Sequence, residues 1–142
     1  MDEIDRRMIA LLQKNARESL AELSRQLGVS RSTLKDRLKR LEQKGIIEGY
    51  SLTLNREFKG RRIRAHIMIT IEPSRYSAIV GELEAMPGFQ SLYAVSGEYD
   101  LIGILETDST EEMDCLIDGI GSVSGVQATR SFIVFSTKFE KF

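Results

Sequence analysis

Residues 19–45 read SLAELSRQLGVSRSTLKDRLKRLEQKG and carry the clearest indication of a known structural motif. Ser19 and Glu22 have the spacing of a capping box, in which a hydroxyl and a carboxylate bond to the free amide groups at the start of a helix. Gly28 stands where the C-cap of that helix requires a positive φ, and Ser30 can cap the helix that follows. Two short helices joined by a tight turn that contains glycine are typical of a helix-turn-helix.

Further elements flank this pair of helices. Apolar residues at helical spacing predict a first helix from about Asp2 to Lys14. Residues 46–54, which follow the glycine that ends the third helix, are typical of a short β hairpin or strand, as in a wing. We therefore predict a winged helix-turn-helix over residues 1–50, followed by a linking strand and hinge over residues 51–62.

The third helix has a narrow leucine stripe on one side and a polar, basic face on the other. At about 100° per residue, Lys39 and Gln43 lie opposite the leucines. Such a face fits a major groove, where these side chains bond base edges and phosphates. Asp36 is the exception, because it repels phosphate. It either accepts a hydrogen bond from a cytosine amino group or holds Arg40 one turn further on.

The residues around this face complete the predicted DNA contact. Arg31 and Arg37 lie nearer its rim and are expected to meet phosphates. The predicted DNA-binding residues are Ser30, Arg31, Ser32, Lys35, Asp36, Arg37, Lys39, Arg40 and Gln43.

Charge divides the chain into a basic and an acidic part. Residues 1–64 carry 16 Lys and Arg against 9 Asp and Glu, a balance of +7. Residues 65–142 carry 4 against 12, a balance of −8. This asymmetry indicates a module that binds a polyanion, joined to a module with another role. The alternative is a three-helix bundle whose basic face is only solvated.

The acidic part has the pattern of a small α+β domain over residues 63–142. Residues 63–72 alternate almost strictly between apolar and polar, which predicts a strand. A helix from Pro73 to Met86, strands over 89–95 and 99–107, a second helix capped by Ser109, and a strand over 126–137 follow. This order is β-α-β-β-α-β, the ferredoxin-like unit.

Two of the predicted strands carry large apolar residues on both faces. Two helices can cover only one face of the sheet, so we expect the other face to be buried by an identical sheet in a two-fold dimer. Such a dimer would also give the DNA-binding parts the two-fold relation that palindromic half-sites need.

Several function classes are disfavoured by the sequence. Cys115, the only cysteine, suits a reducing compartment and is interpreted as a packing residue of its helix. No apolar run approaches about 18 residues, so we expect a cytoplasmic protein without membrane contact. No metal-ligand spacing or phosphate-binding loop occurs, so no cofactor is expected and the chain is not predicted to be an enzyme.

The quoted motifs resemble the Lrp/AsnC, or feast/famine, family of transcription regulators over nearly the whole chain. The resemblance lies in the helix-turn-helix stretch, in Gly45-x-Ile47-x-Gly49-Tyr50, and in the turn Ser96-Gly-Glu-Tyr-Asp100. One departure is Arg31, where many relatives have proline; the charge can contact phosphate instead.

The resemblance implies a small-molecule effector, normally an amino acid, bound in clefts between dimers that commonly assemble into octamers. Carried over by motif, the implied effector-binding residues are Gly97, Glu98, Tyr99, Asp100, Gln127 and Thr129. A glycine turn can offer amides to a carboxylate, and Asp100 can take an ammonium group. Alternatively, Gly97 serves only the hairpin and Asp100 only a structural hydrogen bond.

Two other functions remain open at this point. The sirohaem decarboxylases resemble the same two-domain arrangement, but the only histidine, His66, lies in a strand without a second histidine nearby, which favours a structural or interface role. An architectural DNA-binding protein that needs no ligand would also fit, with the acidic part serving only assembly.

Overall fold

The computed structural model describes residues 1–141, except for the side chain of Arg56, and divides into two compact units, Met1–Leu54 and Asn55–Phe142. Each unit has its own hydrophobic core. None of the helices in the described part of the chain is long and apolar enough to cross a membrane.

The first unit consists of three helices, α1 (Glu3–Lys14), α2 (Leu20–Leu27) and α3 (Arg31–Gln43). Gly28 ends α2 with φ of 68°, a left-handed conformation that glycine adopts without a steric penalty. The apolar stripes of the helices meet in one core formed by Met8, Leu12, Leu23, Leu27, Leu34 and Leu41. Because these positions recur at three- and four-residue spacing, the opposite side of each helix faces solvent.

The helix caps differ in one respect from the prediction. The Ser19 hydroxyl accepts from the Glu22 backbone N–H, but the Glu22 carboxylate bonds to Arg25 and Gln26 rather than closing a capping box. The hydrogen bond from Arg25 is the main cause that lowers the pKa of Glu22 to about 2. A complete capping box is formed instead at the start of α1, by Asp2 and Asp5.

The prediction of a hairpin or strand over residues 46–54 is wrong for this chain. It included the first part of the predicted linking strand. After α3 the backbone turns at Lys44 and Gly45, and residues 48–55 are irregular without strand pairing. The short helix α4 (Arg56–Lys59) then begins the second unit. A short extended segment needs a second strand to pair with, and none of the described residues supplies one.

The second unit is an antiparallel sheet with two long helices. In chain order, after α4, it contains β1 (Ile63–Ile71), a 3-10 turn at Pro73–Arg75, α5 (Tyr76–Glu84), β2 (Phe89–Ala94), β3 (Leu101–Thr107), α6 (Thr110–Gly121) and β4 (Val126–Ile133). The strands lie in the order β2-β3-β1-β4. The predicted β-α-β-β-α-β order is therefore confirmed, although β3 begins two residues later and β4 ends four residues earlier than expected.

The two faces of the sheet differ in burial. Odd-numbered residues of β1 from Ala65 to Ile71 are buried against α5 and α6, together with Leu101 and Leu105 of β3. The even-numbered residues of the same strands lie on the other face, which no element of the described chain covers. His66 is exposed on this open face, between Ile104 and Phe132 on the neighbouring strands.

Cys115 does not pack in the core as expected, because it is exposed on α6. The buried positions of this helix are Met113 and Ile120, and a residue two positions after Met113 lies about 200° around the helix from it.

Candidate DNA-binding surface and effector region

The predicted groove face of α3 is exposed in the structure. Leu34 and Leu41 are buried and Leu38 is half-buried. The residues on and beside the opposite face are all exposed: Arg31, Ser32, Lys35, Asp36, Lys39 and Gln43. A helix with its apolar stripe in a core and its polar face free can enter a major groove.

Ser30 is the N-cap residue of α3. Its hydroxyl accepts from the Thr33 backbone N–H at 3.3 Å and donates to the Thr33 hydroxyl at 2.8 Å. It also lies 3.3 Å from the Ser32 hydroxyl. The first turn of α3 is therefore held by hydroxyl groups at the end of the helix that would approach DNA.

A cluster of two carboxylates and two guanidinium groups joins α1 to α3. Arg37 Nη1 donates to Asp2 Oδ2 at 2.6 Å and to Asp5 Oδ1 at 3.0 Å. Arg40 Nη2 lies 3.2 Å from Asp5 Oδ2. The partner of Arg40 is therefore Asp5, and the alternative that Asp36 holds Arg40 is wrong. Asp5 reaches Arg40 across the helix interface, whereas Asp36 is exposed and makes no hydrogen bond or ion pair with Arg40.

Both carboxylates of this cluster are ionised well below neutral pH. Burial alone would raise the pKa of Asp5, but the hydrogen bonds from Arg37 and from the Asp2 backbone N–H outweigh it, so the pKa lies below its usual value. For Asp2, the hydrogen bond from the Asp5 backbone N–H is the largest cause of a lowered pKa, followed by that from Arg37.

Asp2 and Asp5 were not predicted from the sequence as partners of the DNA-binding helix. Asp2 followed by Asp5 has the spacing of an N-cap and its third helical residue, so the local signal for the cap was present. The pairing with Arg37 and Arg40 spans more than 30 positions and depends on how α1 packs on α3.

The residues of the predicted effector site lie around one end of β1. Asp100 N donates to Ile69 O at 3.0 Å, and Asp100 Oδ2 accepts from Ile71 N at 2.8 Å. Within the turn, Gly97 has φ of 121° and is exposed like Glu98. Tyr99 is half-buried.

The two predicted residues of β4 lie on the other side of the same strand end. Thr129 is paired with Ile69 and is half-buried. Gln127 is exposed where the register between β1 and β4 shifts. The structure therefore brings the turn and β4 to the two sides of β1, without a hydrogen bond between their side chains. Among residues 1–141, no group of three or more His, Cys, Asp or Glu side chains could hold a metal ion.

Comparison with known proteins identifies both units. Residues 1–48 match the model of winged helix-turn-helix DNA-binding domains, and residues 64–141 match that of the Lrp/AsnC ligand binding domain. The HTH-type transcriptional regulator FL11 of Pyrococcus furiosus is 33% identical over 140 residues, covering 99% of this chain and 93% of the relative.

Solved structures of similar proteins share the whole fold. AsnC of E. coli superposes with a TM-score of 0.88 at 26% identity, over 100% of this chain and 97% of the other. The transcriptional regulator NMB0573 of Neisseria meningitidis, in complex with L-Met, superposes with a TM-score of 0.87 at 26% identity. The match covers 99% of this chain and 93% of the other.

A helix-turn-helix unit followed by a ligand-binding βαββαβ unit defines a DNA-binding transcription regulator. The chain belongs to the Lrp/AsnC family. Its relatives are regulators and not enzymes, which removes the sirohaem decarboxylase alternative.

Proposed function

We propose that this regulator reads a specific DNA sequence through the exposed face of α3, centred on Lys35, Lys39 and Gln43. The observation that carries the proposal is the free polar face of α3 opposite its buried leucines. Lys and Gln side chains on such a face bond base edges, and Arg31 and Ser32 at the start of the helix reach phosphates. Asp36 accepts from a cytosine amino group.

Selection from a randomised pool of DNA duplexes tests this proposal. The wild type is expected to select spaced half-sites, and Lys39→Ala and Gln43→Ala are expected to relax base preference at defined positions. Lys14→Ala, an exposed cation at the end of α1, is the matched control and keeps the wild-type preference. Unchanged base preference in both α3 variants would show that another surface reads the sequence.

The open face of the sheet supports assembly of the protein into dimers. Tyr93 and Phe132 are about half exposed on this face, at 54% and 50%. The half-buried Met68, Ile102 and Ile104 lie between them. An apolar face of this composition favours burial against a second copy of the same sheet. Further association of dimers into octamers is part of the proposal.

Sedimentation velocity measures this assembly directly. The wild type is expected to sediment as a dimer or a larger even-numbered oligomer, whereas Ile104→Lys places a charge in the centre of the face and dissociates it. Asp114→Lys, an exposed position on α6, introduces the same cation away from this face. A monomeric wild type would contradict the proposal.

We also propose that a small effector, an amino acid, binds near Gly97, Glu98, Tyr99, Asp100, Gln127 and Thr129 and changes DNA affinity or oligomeric state. The turn offers exposed backbone, and Asp100 keeps Oδ1 free for an ammonium group while Oδ2 bonds to Ile71. The related Neisseria regulator was solved as a complex with L-Met, which supports this ligand class.

A thermal shift screen of the twenty amino acids is the decisive measurement, because a ligand that binds the folded state raises the melting temperature. Asp100→Asn is expected to weaken the response while keeping an acceptor for Ile71. No shift with any amino acid would favour the ligand-independent, architectural alternative or an effector of another class.

A further inference from the structure

The cations of α3 fall into two groups. Arg31, Lys35 and Lys39 are exposed, and none of them makes an ion pair with any of the residues that the structure describes. Arg37 pairs instead with Asp2, the N-cap of α1, and with Asp5, and Arg40 pairs with Asp5. The side chain of Asp5 is 1% exposed, whereas those of Arg37 and Arg40 are 20% and 50% exposed.

Asp2 and Asp5 occupy Nη1 of Arg37, and Asp5 occupies Nη2 of Arg40. These are terminal guanidinium nitrogens that a DNA phosphate would otherwise use. Carboxylate and phosphate present oxygen pairs of similar geometry to a guanidinium group, and either accepts its N–H donors. If Arg40 turned to a phosphate, the buried Asp5 would lose one of its two guanidinium partners. Removing a partner from a buried charge is strongly unfavourable, so the internal pairing resists exchange.

We propose that Asp5 is a positioning residue that withholds Arg40 from the DNA backbone and so keeps sequence-independent binding weak. Arg37 is held in the same way, by Asp2 and Asp5 together. This inference rests on the proposed DNA contact of α3 and modifies it. It removes Arg37 from the phosphate contacts expected from the sequence, and it removes Arg40 from the predicted DNA-binding residues.

The physical reason lies in the origin of non-specific affinity. Contacts to phosphates supply essentially all of it and carry no sequence information. Arg37 and Arg40, when paired with carboxylates, do not contribute to the non-specific affinity. Lys35, Lys39 and Gln43 still reach the groove. The ratio of specific to non-specific affinity is therefore higher than it would be if all cations of α3 contacted phosphates.

Asp5→Asn tests this assignment in the full-length protein, with Glu3→Gln as the matched control. Glu3 is an exposed carboxylate in the same first turn of α1. Affinities are measured by fluorescence anisotropy over a series of salt concentrations, on a duplex that the wild type selects from a randomised pool and on a scrambled duplex of equal composition.

Release of Arg40 is expected to steepen the dependence of log affinity on log salt by about 0.9, the value for one added phosphate contact. The scrambled duplex should bind roughly fivefold tighter to Asp5→Asn at low salt, and the ratio of specific to non-specific affinity should fall. Glu3→Gln should keep the wild-type slope. The double variant Asp5→Asn/Arg40→Gln should return the slope to the wild-type value.

A second pair of variants keeps the test decisive if Asp5→Asn does not fold, which circular dichroism shows. Arg40→Gln is expected to leave the salt slope unchanged, whereas Arg31→Gln, the same substitution at the exposed arginine proposed to contact phosphate, reduces it by about 0.9. A reduction in Arg40→Gln equal to that in Arg31→Gln would overturn the proposal.

Two further results would also contradict the inference. If Asp5→Asn binds both duplexes more weakly by the same factor and its salt slope is unchanged, Asp5 only stabilises the fold. If the wild type does not distinguish the selected from the scrambled duplex, the proposed sequence-specific function fails, and the inference that rests on it fails with it. If the wild type does distinguish the two duplexes but Asp5→Asn keeps the wild-type salt slope, the inference about Asp5 fails while the proposed sequence-specific function stands.

Discussion

The hydroxyl of Tyr50 donates a hydrogen bond to Glu42 Oε1 at 2.7 Å and so ties the segment after α3 to the last turn of that helix. Tyr50 is 49% exposed. Partial desolvation of its phenol is the first cause that raises the pKa of Tyr50 to about 12, and the hydrogen bond to the Glu42 carboxylate is the second. The bond exists while the phenol is neutral, so its contribution to stability is complete below the ordinary tyrosine pKa of about 10. That contribution is lost as the pH rises through the folded-state value.

Spectrophotometric titration of the phenolate band checks this value. A component near pH 12 should disappear in Tyr50→Phe, and in Glu42→Gln it should move towards lower pH because the carboxylate charge no longer opposes ionisation. If Glu42→Gln titrates like the wild type, the carboxylate does not contribute to the shift.

Loss of the Asp100 carboxylate should destabilise the second unit. Asp100→Ala removes the acceptor of the Ile71 N–H, and the free energy of unfolding should fall by about 1 kcal/mol in urea denaturation. Asp100→Asn retains an acceptor oxygen and should lose less. Glu98→Ala, in the same turn and exposed, serves as the control and should match the wild type. Equal stability of Asp100→Ala and the wild type would mean that the hydrogen bond contributes nothing.

Gly103 provides a packing test. A Cβ at this position would lie 2.6 Å from Phe89 Cε1 and 3.0 Å from Ile67 Cγ2, so Gly103→Ala overfills the core and should cost about 1–3 kcal/mol. Gly119→Ala, in α6, adds a Cβ that meets no atom within 4 Å beyond its chain neighbours and its own helix backbone. This change should be neutral or stabilising by up to about 1 kcal/mol. Thermal unfolding followed by circular dichroism compares them. A neutral Gly103→Ala would show that Phe89 moves aside freely.

The carboxylates of the α1–α3 cluster predict a specific acid response. The pKa values of Asp2 and Asp5 are lowered in the folded protein, so their contribution to stability is complete above the unfolded value of about 3.9. It is lost as the pH falls through the lower folded values. Urea denaturation of the full chain at several pH values below about 4 measures the free energy of unfolding. This free energy should depend less on pH in Asp5→Asn than in the wild type. Glu3→Gln controls for the general loss of one carboxylate, and identical pH dependence of Asp5→Asn and the wild type would refute the linkage.

Local chemistry allowed much of the fold to be predicted. Ser19 and Ser30 cap α2 and α3 as expected, since a cap needs only a hydroxyl next to the first free amide groups. The strand pattern of residues 63–72 placed β1 correctly because alternation with period two is a property of the chain itself. The strand expected near Tyr50 failed because pairing requires a partner that local sequence does not supply.

The candidate sites were predictable to a different degree. The exposed face of α3 follows from its leucine spacing alone, and Lys39 and Gln43 lie where helical geometry places them. The position of Asp100 at the end of β1 was not predictable, because its bond to Ile71 joins residues 29 positions apart through the sheet.

The ends of the helices within residues 19–45 follow from local sequence, since caps and apolar spacing act within one or two turns. The roles of the cations of α3 depend instead on tertiary packing. Lys35 and Arg40 are both basic residues of one helix, and no local rule separates them. The packing of α1 against α3 brings a buried carboxylate to Arg40 and leaves Lys35 in solvent, because the approach of two helices is set by the whole core rather than by neighbours in the chain.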